Sequence, residues 1–303
     1  MTAVGFQALY SSTANNNTAF GLYAGLSTTT GGANTFLGLQ SGNNNTTGAS
    51  NVMVGMQAGY NNTTGSTNTY MGYAAGYGNG AGTGEGNTAI GFYSQKDKGT
   101  SGNYNTSLGF YALGSDQNAG FTGTGNTSGG YYSQRFTSSG SYNTTFGYIA
   151  GERLTVGTNN TLIGAEAGTG SAPSGQLTSE SNRVCLGNNS VSHLYCKVST
   201  ITTSDRRDKG KFEEIKLGLD FVDKLKPTAF EFKKDGLRDT EKTDGIKRYG
   251  FIAQDILELE GDNPVIINND RPENLMYSQG NLIPILVNAI QELKAEIEIL
   301  KNK

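Results

Sequence analysis

The sequence predicts a mainly β repeat shaft, of the β-solenoid or β-prism type, followed by a small α+β domain that ends in a coiled-coil helix. Two observations predict this division. Residues 1–203 hold 12 of the 49 charged residues and 37 of the 44 glycines, so the composition changes abruptly after them. A short pattern also returns about every 17 residues through this first part and then stops. We therefore expect a shaft at 1–181, a connecting strand region at 182–203 and a separate domain at 204–303.

The repeat is the strongest signal for the shaft, because a fixed period indicates stacked structural units. Asparagine opens each copy and is numbered position 0. Positions 3 and 5 are mostly apolar, position 7 is mostly small, and position 4 is glycine in every full copy. This alternation predicts strands with one buried face, and the glycine predicts a close backbone approach or a positive φ. The clearest copies are NTAFGLYAG (17–25), NTFLGLQSG (34–42), NVMVGMQAG (51–59) and NTYMGYAAG (68–76); others begin at Asn87, Asn105, Asn126, Asn143, Asn160 and, in degenerate form, Asn182.

A single copy is too short to bury its own apolar face, so the copies are expected to stack into a quasi-one-dimensional solenoid or prism. The small core residues offset little of the backbone entropy, which costs on the order of 1 kcal/mol per ordered residue. We therefore expect several chains to share one axis in an obligate homo-oligomer.

Other interpretations of the repeat fit its register less well. The low-complexity composition is typical of disorder, but the regular apolar pattern argues against it. A calcium-binding β-roll would need aspartate where this repeat has Asn and Thr. The Asn-x-Thr triplets match glycosylation acceptors, but they arise from a repeat that is built on Asn-Thr. We expect turn and ladder roles for these asparagines. The tyrosines at 23, 93, 111 and 132 either stack on sugars or pack between layers.

Several classes of protein are disfavoured by what the sequence lacks. No run approaches the roughly 18 apolar residues of a membrane span, and no signal-peptide pattern opens the chain, so we expect cytosolic synthesis and no span. Cys185 and Cys196 have no companions at metal-ligand spacing and His193 stands alone. We expect no metal and no cofactor, and thiols that are buried or partly buried in preference to a disulfide.

The last hundred residues have the pattern of a compact α+β domain. Residues 212–227 show helical apolar spacing and stop at Pro227. Residues 228–232 alternate as a strand, and residues 248–260 begin like a strand and continue with helix formers.

A heptad pattern marks the final helix. It predicts a short parallel coiled coil or a bundle helix, although Ile and Leu in these places favour two strands in isolated peptides. The alternative is a helix that packs only on its own domain. The isoleucines occupy one heptad position and the leucines the other: Ile283, Ile290 and Ile297, with Leu286, Leu293 and Leu300.

Four segments in this domain carry a resemblance to a known family. They are SDRRDK (204–209), LDFVDKLKPTAFEF (219–232), YGFIAQD (249–255) and LIPILVNAIQELKAEIEILK (282–301). Together they resemble the endosialidase-type C-terminal intramolecular chaperone of bacteriophage tail fibres and spikes, which also occurs in related form in a membrane-bound animal transcription factor. Because no DNA-binding domain precedes it here, we expect no nucleic-acid partner.

The resemblance implies a homotrimer whose chaperone folds the fibre and then cuts itself off. Carried over by position, Ser204 is the nucleophile, Lys209 is the base and Thr203-Ser204 is the scissile bond. Asp205 and Arg207 match the motif in supporting roles. The sequence departs from the family at Asp208, where leucine is common, and at residues 210–212, which bears on the cleavage rate more than on the fold.

The implied chemistry suits these residue types. A serine hydroxyl needs a base to become nucleophilic, serine-lysine pairs are a known variant, and burial can lower the pKa of a lysine toward neutrality. Backbone N–H groups would stabilise the oxyanion. Without the surrounding domain, a serine five residues before a lysine means little.

We therefore predict a structural trimeric viral tail fibre or spike, assembled in the host cytoplasm and carried on the virion. Met1 stands where the repeat would place asparagine, so we expect virion attachment through a region that precedes this sequence. A host-cell receptor or glycan is the expected external partner, and no activity on external substrates is expected.

Three alternatives stay open. One is a bacterial trimeric surface adhesin with the same chaperone, and another is a fibre that keeps its chaperone uncleaved. The third is a glycan-degrading spike, which would need clustered carboxylates, whereas the shaft's acids are scattered at Glu85, Asp97, Asp116, Glu152, Glu166 and Glu180.

Overall fold

A computed structural model describes residues 1–78, 80–96, 101–114, 120–195, 204–233, 241–270 and 272–302, without the side chain of Asp208. The chain divides into two compact units, Met1–Ser192 and His193–Lys303. Each unit is described by itself.

The first unit is a parallel β-solenoid, as predicted. Eleven three-residue strands form one sheet, each paired in parallel with the strands that precede and follow it in sequence. Sequential parallel order means that every coil of the chain places its strand on the previous one. The strands are β1 Thr2–Val4, β2 Thr18–Phe20, β3 Thr35–Leu37, β4 Val52–Val54, β5 Thr69–Met71, β6 Thr88–Ile90, β7 Thr106–Leu108, β8 Thr127–Gly129, β9 Thr144–Phe146, β10 Thr161–Ile163 and β11 Val184–Leu186.

The prediction that positions 3 and 5 are buried is wrong for the single chain, because both positions lie on the outside of the solenoid. Position 2, the middle residue of each strand, points into the solenoid, as Phe36 and Tyr70 show, whereas Phe20 at position 3 and Leu22 at position 5 are 58% and 42% exposed. The small residue at position 7, such as Ala24, is buried. The reason is a corner at position 6, where Tyr23 has a φ of 57°. The turn breaks the two-residue alternation, so positions 5 and 7 face opposite ways.

The glycine at position 4 meets both conditions that the sequence predicted. Gly38 has a φ of 134°, and a Cβ there would lie 2.6 Å from the carbonyl oxygen of Gly55 in the next turn. Successive turns approach so closely at this point that no side chain fits between them.

A second glycine, at position 8, was missed by the sequence analysis. Gly42 has a φ of 58°, and a Cβ there would lie 2.2 Å from Cε1 of Phe36. The opposite arrangement occurs in the middle of the shaft, where Ala89 is the small position 2 residue and Gln95 fills position 8. The two positions therefore share one interior volume, and a large residue at one requires a small residue at the other.

The repeat asparagines form a buried ladder, as expected for a structural role. The Nδ2 of Asn143 donates to Oδ1 of Asn126 at 3.1 Å and to the carbonyl of Gly157 at 2.9 Å. Its own Oδ1 accepts from the backbone N–H of Asn160 at 3.0 Å. In the last copy Arg183, and not Asn182, occupies position 0, because its N–H donates to Oδ1 of Asn160. Buried, bonded amides of this kind are closed to glycosylation.

Among its described residues, the second unit contains three α-helices and two antiparallel strand pairs around a small core. The strand pairs are β12 with β13 and β14 with β15. The core centres on Phe221, Ile256, Ile266, Ile267, Leu282 and Ile285. The elements are α1 Leu219–Val222, β12 Thr228–Phe230, β13 Arg248–Gly250, α2 Ala253–Glu260, β14 Ile267–Asn268, β15 Met276–Tyr277 and α3 Leu282–Lys301.

The helix predicted over 212–227 is wrong for most of its length, because only α1 is helical. Gly218 has φ −148° and ψ −138°, which no helix contains. The preceding residues bond to α3 instead, since the Nδ2 of Asn288 donates to the carbonyl of Leu217 at 3.0 Å. The Glu292 carboxylate accepts from the N–H of Leu219 at 2.7 Å. By contrast, the strand and strand-then-helix predictions for 228–232 and 248–260 are confirmed in order and type.

Candidate functional site

A single 3-10 turn at Arg206–Asp208 organises the candidate self-cleavage site. Asp205 caps this turn, and its Oδ1 accepts from the N–H of Arg207 at 2.8 Å. The turn closes where the N–H of Lys209 donates to the carbonyl of Arg206 at 3.2 Å. A 3-10 turn rises only about 2 Å per residue, so the long lysine side chain reaches back to the residue that precedes the turn.

The structure brings the predicted nucleophile and base into contact. The Nζ of Lys209 donates a hydrogen bond to Oγ of Ser204 at 2.7 Å. Both residues are exposed in the single chain. The contact places the lysine nitrogen within hydrogen-bond reach of the hydroxyl from which a general base would take a proton.

The two residues with predicted supporting roles bind each other. Arg207 contacts Asp205 through a fork of hydrogen bonds, of which Nη2 to Oδ2 is the shortest at 2.6 Å. The side-chain hydrogen bond from Arg207, followed by the bond from its backbone N–H, holds the pKa of the Asp205 carboxyl below its ordinary value. The carboxylate in turn raises the pKa of the Arg207 guanidinium. The pair therefore fixes the turn and leaves Ser204 and Lys209 free to contact each other.

Phe212 adds a contact that sequence reasoning did not assign. The guanidinium of Arg206 lies over its ring, with Cζ 4.9 Å from the ring centroid. Lys211, between the turn and this ring, has a φ of 50°. The segment in which the sequence departs from the family thus folds back on the turn. Nothing in the sequence pattern indicated this cation-π pair.

Two groups near the dyad are not available as oxyanion donors. The backbone N–H of Arg207 is bonded to Asp205 and that of Lys209 to Arg206. Thr203, on the other side of the predicted scissile bond, lies outside the described residues. Stabilisation of the oxyanion must therefore come from other N–H groups.

The predicted coiled-coil positions of α3 all face outward. Their exposed fractions are 60% for Ile283, 37% for Leu286, 66% for Ile290, 44% for Leu293, 41% for Ile297 and 66% for Leu300. The helix packs on its own unit through Leu282, Ile285 and Ala289. The heptad residues therefore do not form this contact, and the coiled coil and the helix that packs only on its own domain both stay open.

The shaft offers no clustered carboxylates among the acids that the structure describes. Glu152 pairs with Arg135, Glu166 accepts from the Asn188 amide, and Glu180 accepts from the N–H of Thr178. Asp97 and Asp116 lie outside the described residues. In the part of the chain that the structure covers, no group of three His, Cys, Asp or Glu could hold a metal ion.

Three of the position 6 tyrosines, Tyr93, Tyr111 and Tyr132, pack between layers and carry cations on their rings, whereas Tyr23 contacts Phe6. The ring centroids of Tyr93 and Tyr111 lie 4.9 Å apart. Lys96 Nζ lies 3.9 Å from the ring centroid of Tyr93, and Arg135 Cζ lies 4.1 Å from that of Tyr132. These contacts occupy ring faces that a sugar would need.

Cys185 is buried and has a free thiol, as expected for a structural cysteine. Cys196 lies outside the described residues.

Among the described helices, none is long and apolar enough to cross a bilayer.

Comparison with protein families gives one match, and it falls on the segment that contains the dyad. Residues 204–263 match the family described as the chaperone of endosialidase. No curated protein and no solved structure matches the chain. The family match covers the 3-10 turn, α1, the β12–β13 pair and α2, and supports a chaperone domain at this end of the chain.

Proposed function

We propose that the chain is a homotrimeric fibre or spike protein of a bacteriophage tail, with an intramolecular chaperone at its C-terminal end. The chaperone aligns three chains, lets the shaft fold, and cuts itself off between Thr203 and Ser204. The observation that carries the proposal is the 2.7 Å contact between Lys209 Nζ and Ser204 Oγ, within the segment that matches the endosialidase chaperone.

The proposed cleavage is an acyl shift followed by hydrolysis. Neutral Lys209 takes the hydroxyl proton as Ser204 Oγ attacks the carbonyl carbon of Thr203. The carbon-nitrogen bond then breaks, the lysine returns the proton to the departing amine, and an ester joins the two fragments. Water hydrolyses this ester, which leaves a carboxylate on Thr203 and a free α-amine on Ser204.

The exposure of the dyad supports a requirement for assembly. A lysine must be neutral to act as a general base, and both side chains are exposed in the single chain. Burial of Lys209 within the trimer would favour its neutral form. The exposed heptad stripe of α3 is the surface that we propose brings the chains together.

The shaft explains why such a device is useful. Each strand has only three residues, and the sheet is completed turn by turn along the whole unit. Packing of one shaft against the shafts of other chains starts slowly, because the chains must meet before any contact between them stabilises the assembly. Once the chaperone has left, the shaft is held by its unfolding barrier.

Intact mass on freshly purified protein tests this proposal, with wild type beside Ser204→Ala, Lys209→Ala and the control Ser190→Ala, an exposed serine in the shaft. We expect two fragments that meet between Thr203 and Ser204 in the wild type and in the control, and one uncut chain in the other two. An uncut wild type that is still trimeric would instead favour a fibre that keeps its chaperone. Cleavage at another bond would exclude the dyad.

A bacterial trimeric surface adhesin with the same chaperone is the second candidate for the whole protein. The same shaft and chaperone would suit a tail fibre and a surface adhesin equally well. A virion-attachment domain in the native protein would support the fibre, and an export signal would support the adhesin.

A further inference from the structure

A continuous apolar stripe runs along the outside of the shaft. We define the stripe as the side chains at positions 3 and 5 of each turn, from Val4 and Phe6 to Leu186 and Asn188. The exposed large apolar side chains of the stripe from Phe20 to Ile163 have exposed fractions of 38–58%. A soluble monomer rarely exposes contiguous apolar area beyond a few hundred Å², so a stripe of this length indicates a partner.

The stripe is rigid and regular along its aromatic part. Rings at position 5 stack face to face in successive turns, with centroids 5.0 Å apart for Phe92 and Phe110 and 5.3 Å apart for Phe110 and Tyr131. The corresponding interplanar angles are 4° and 13°. Each ring is held by its neighbours above and below, which leaves its outer edge for a partner.

No charged residue occupies any position of the stripe, all of which lie within the described residues. The described charges of the shaft stand elsewhere on the turn, as with Lys96, Arg135 and Glu152 at position 9. A surface that remained in water would be expected to mix charges among its apolar residues. The stripe has instead the composition of an interface core, from which charge is depleted.

We infer that the stripe packs against the same stripe of two further copies of this chain, parallel and in register, facing a common axis. The inference rests on the homotrimer of the proposed function and names the surface that the shafts use. The heptad stripe at the same end of every chain supports the parallel direction, because it would align three identical chains from one starting point.

Two properties of the stripe point to a second copy as its occupant. Its side chains repeat once per strand layer, about every 4.8 Å, and a partner with the same period can match it turn by turn. The free area also suffices: a large aromatic side chain offers about 150–250 Å², so the exposed fractions sum to on the order of 1,000 Å². A stable interface needs about 800 Å² from each partner.

The backbone pairing decides between two kinds of trimer. Each chain forms its own ladder, in which every strand pairs with the neighbouring turns of the same chain. No strand edge along the shaft between β1 and β11 is left for another chain. The shaft is therefore three complete solenoids side by side, joined through side chains, and not one helix with three intertwined strands.

Self-crosslinking by cysteine tests the inference. In an in-register trimer, Leu37 of each chain lies near Leu37 of the others, whereas Thr47, an exposed residue of the same turn, faces away from the axis. We expect oxidation of Leu37→Cys to give a crosslinked dimer on a denaturing gel. One introduced cysteine per chain can join only two of the three chains, so the third chain remains uncrosslinked. Thr47→Cys and the parent, which carry the same two native cysteines, should give none. Leu108→Cys repeats the test far along the shaft.

The mass of the parent in solution separates the two proposals. The stripe would not be the interface if the parent is a trimer and neither Leu37→Cys nor Leu108→Cys forms a crosslink. The same conclusion would follow if Thr47→Cys crosslinks equally well. Either result would leave the proposed homotrimer unaffected. A parent that is monomeric at micromolar concentration would overturn both. A trimer with crosslinks at the stripe positions alone supports both.

Discussion

Gly42 lies directly on the ring of Phe36, so that a Cβ on the glycine would stand 2.2 Å from Cε1 of the ring. The same relation recurs where a large residue fills position 2, as for Gly76 and Tyr70. The interior of the shaft is thus built from pairs of positions that share one space. This pairing makes the effect of a substitution depend on its neighbour.

We expect Gly42→Ala to destabilise the shaft by about 2–4 kcal/mol, because overpacking a core costs about 1–3 kcal/mol and an L-residue at a φ of 58° adds strain. The thermal unfolding midpoint of the shaft, followed by circular dichroism, measures the change. Gly170→Ala is the control, since no atom lies within 4 Å of its Cβ position. Equal effects of the two substitutions would contradict the steric explanation.

The shared volume also predicts a rescue. In the turn that contains Ala89 and Gln95, a small position 2 stands with a large position 8. We therefore expect Phe36→Ala combined with Gly42→Ala to be more stable than the sum of the single effects predicts. Strict additivity in the same unfolding measurement would show that the two sites do not share space.

Asn143→Ala should be among the most damaging single changes in the shaft. It removes the amide that bonds Asn126 and Gly157 and the acceptor used by Asn160, all in the buried ladder. Buried groups left unpaired cost about 1–3 kcal/mol each, so we expect a loss of about 2–5 kcal/mol. Asn44→Ala, at a half-buried site that donates to Asn61, should cost less than about 1 kcal/mol. A smaller loss at Asn143 than at Asn44 would count against the ladder as the main support.

Ile290 and Ile299 allow a matched test of the heptad stripe. Both are isoleucines of α3, exposed by 66% and 59%, but only Ile290 occupies a heptad position. We expect Ile290→Ser to weaken the trimer by at least about tenfold in its dissociation constant, because it removes apolar contact area at the seam. Ile299→Ser should leave assembly unchanged. Analytical ultracentrifugation over a concentration series measures both, and equal weakening would exclude the heptad seam.

The pKa of Asp205 tests the geometry of the candidate site. Its hydrogen bonds from Arg207 depress the pKa below its ordinary value, so the contribution of the carboxylate to the turn is present above the unfolded value of about 3.9. That contribution is lost as pH falls through the lower folded value. A carboxyl titration by NMR, in the uncut Ser204→Ala chain, measures it. In Arg207→Gln the pKa should rise but stay somewhat low, since the backbone N–H at 207 still donates. No rise would mean that the fork does not form in solution.

The sequence by itself determined the repeat, its period, the strand near 228 and the strand-then-helix segment at 248–260. A fixed spacing of apolar, small and glycine residues leaves few folds open, so the sequence predicted stacked β-strand layers of the solenoid or prism type. Position 4 glycines such as Gly38 could also be explained in advance, because close backbone approach is a local demand. The pair Ser204 and Lys209 was assigned only through the resemblance to the endosialidase-type chaperone, because a serine five residues before a lysine means little by itself.

The tertiary structure decided which side chains of each turn point into the solenoid. It placed positions 3 and 5 outside, although the sequence pattern predicted that they are buried. Phe20 and Leu22 point outward and Ala24 points inward, because the corner at Tyr23 breaks the alternation between them. A corner of positive φ at a tyrosine leaves no mark in an apolar pattern. It also decided that residues 212–218 are not helical, because Asn288 and Glu292 bind that segment from α3. Such contacts join residues some seventy positions apart, and periodicity within a segment carries no information about them.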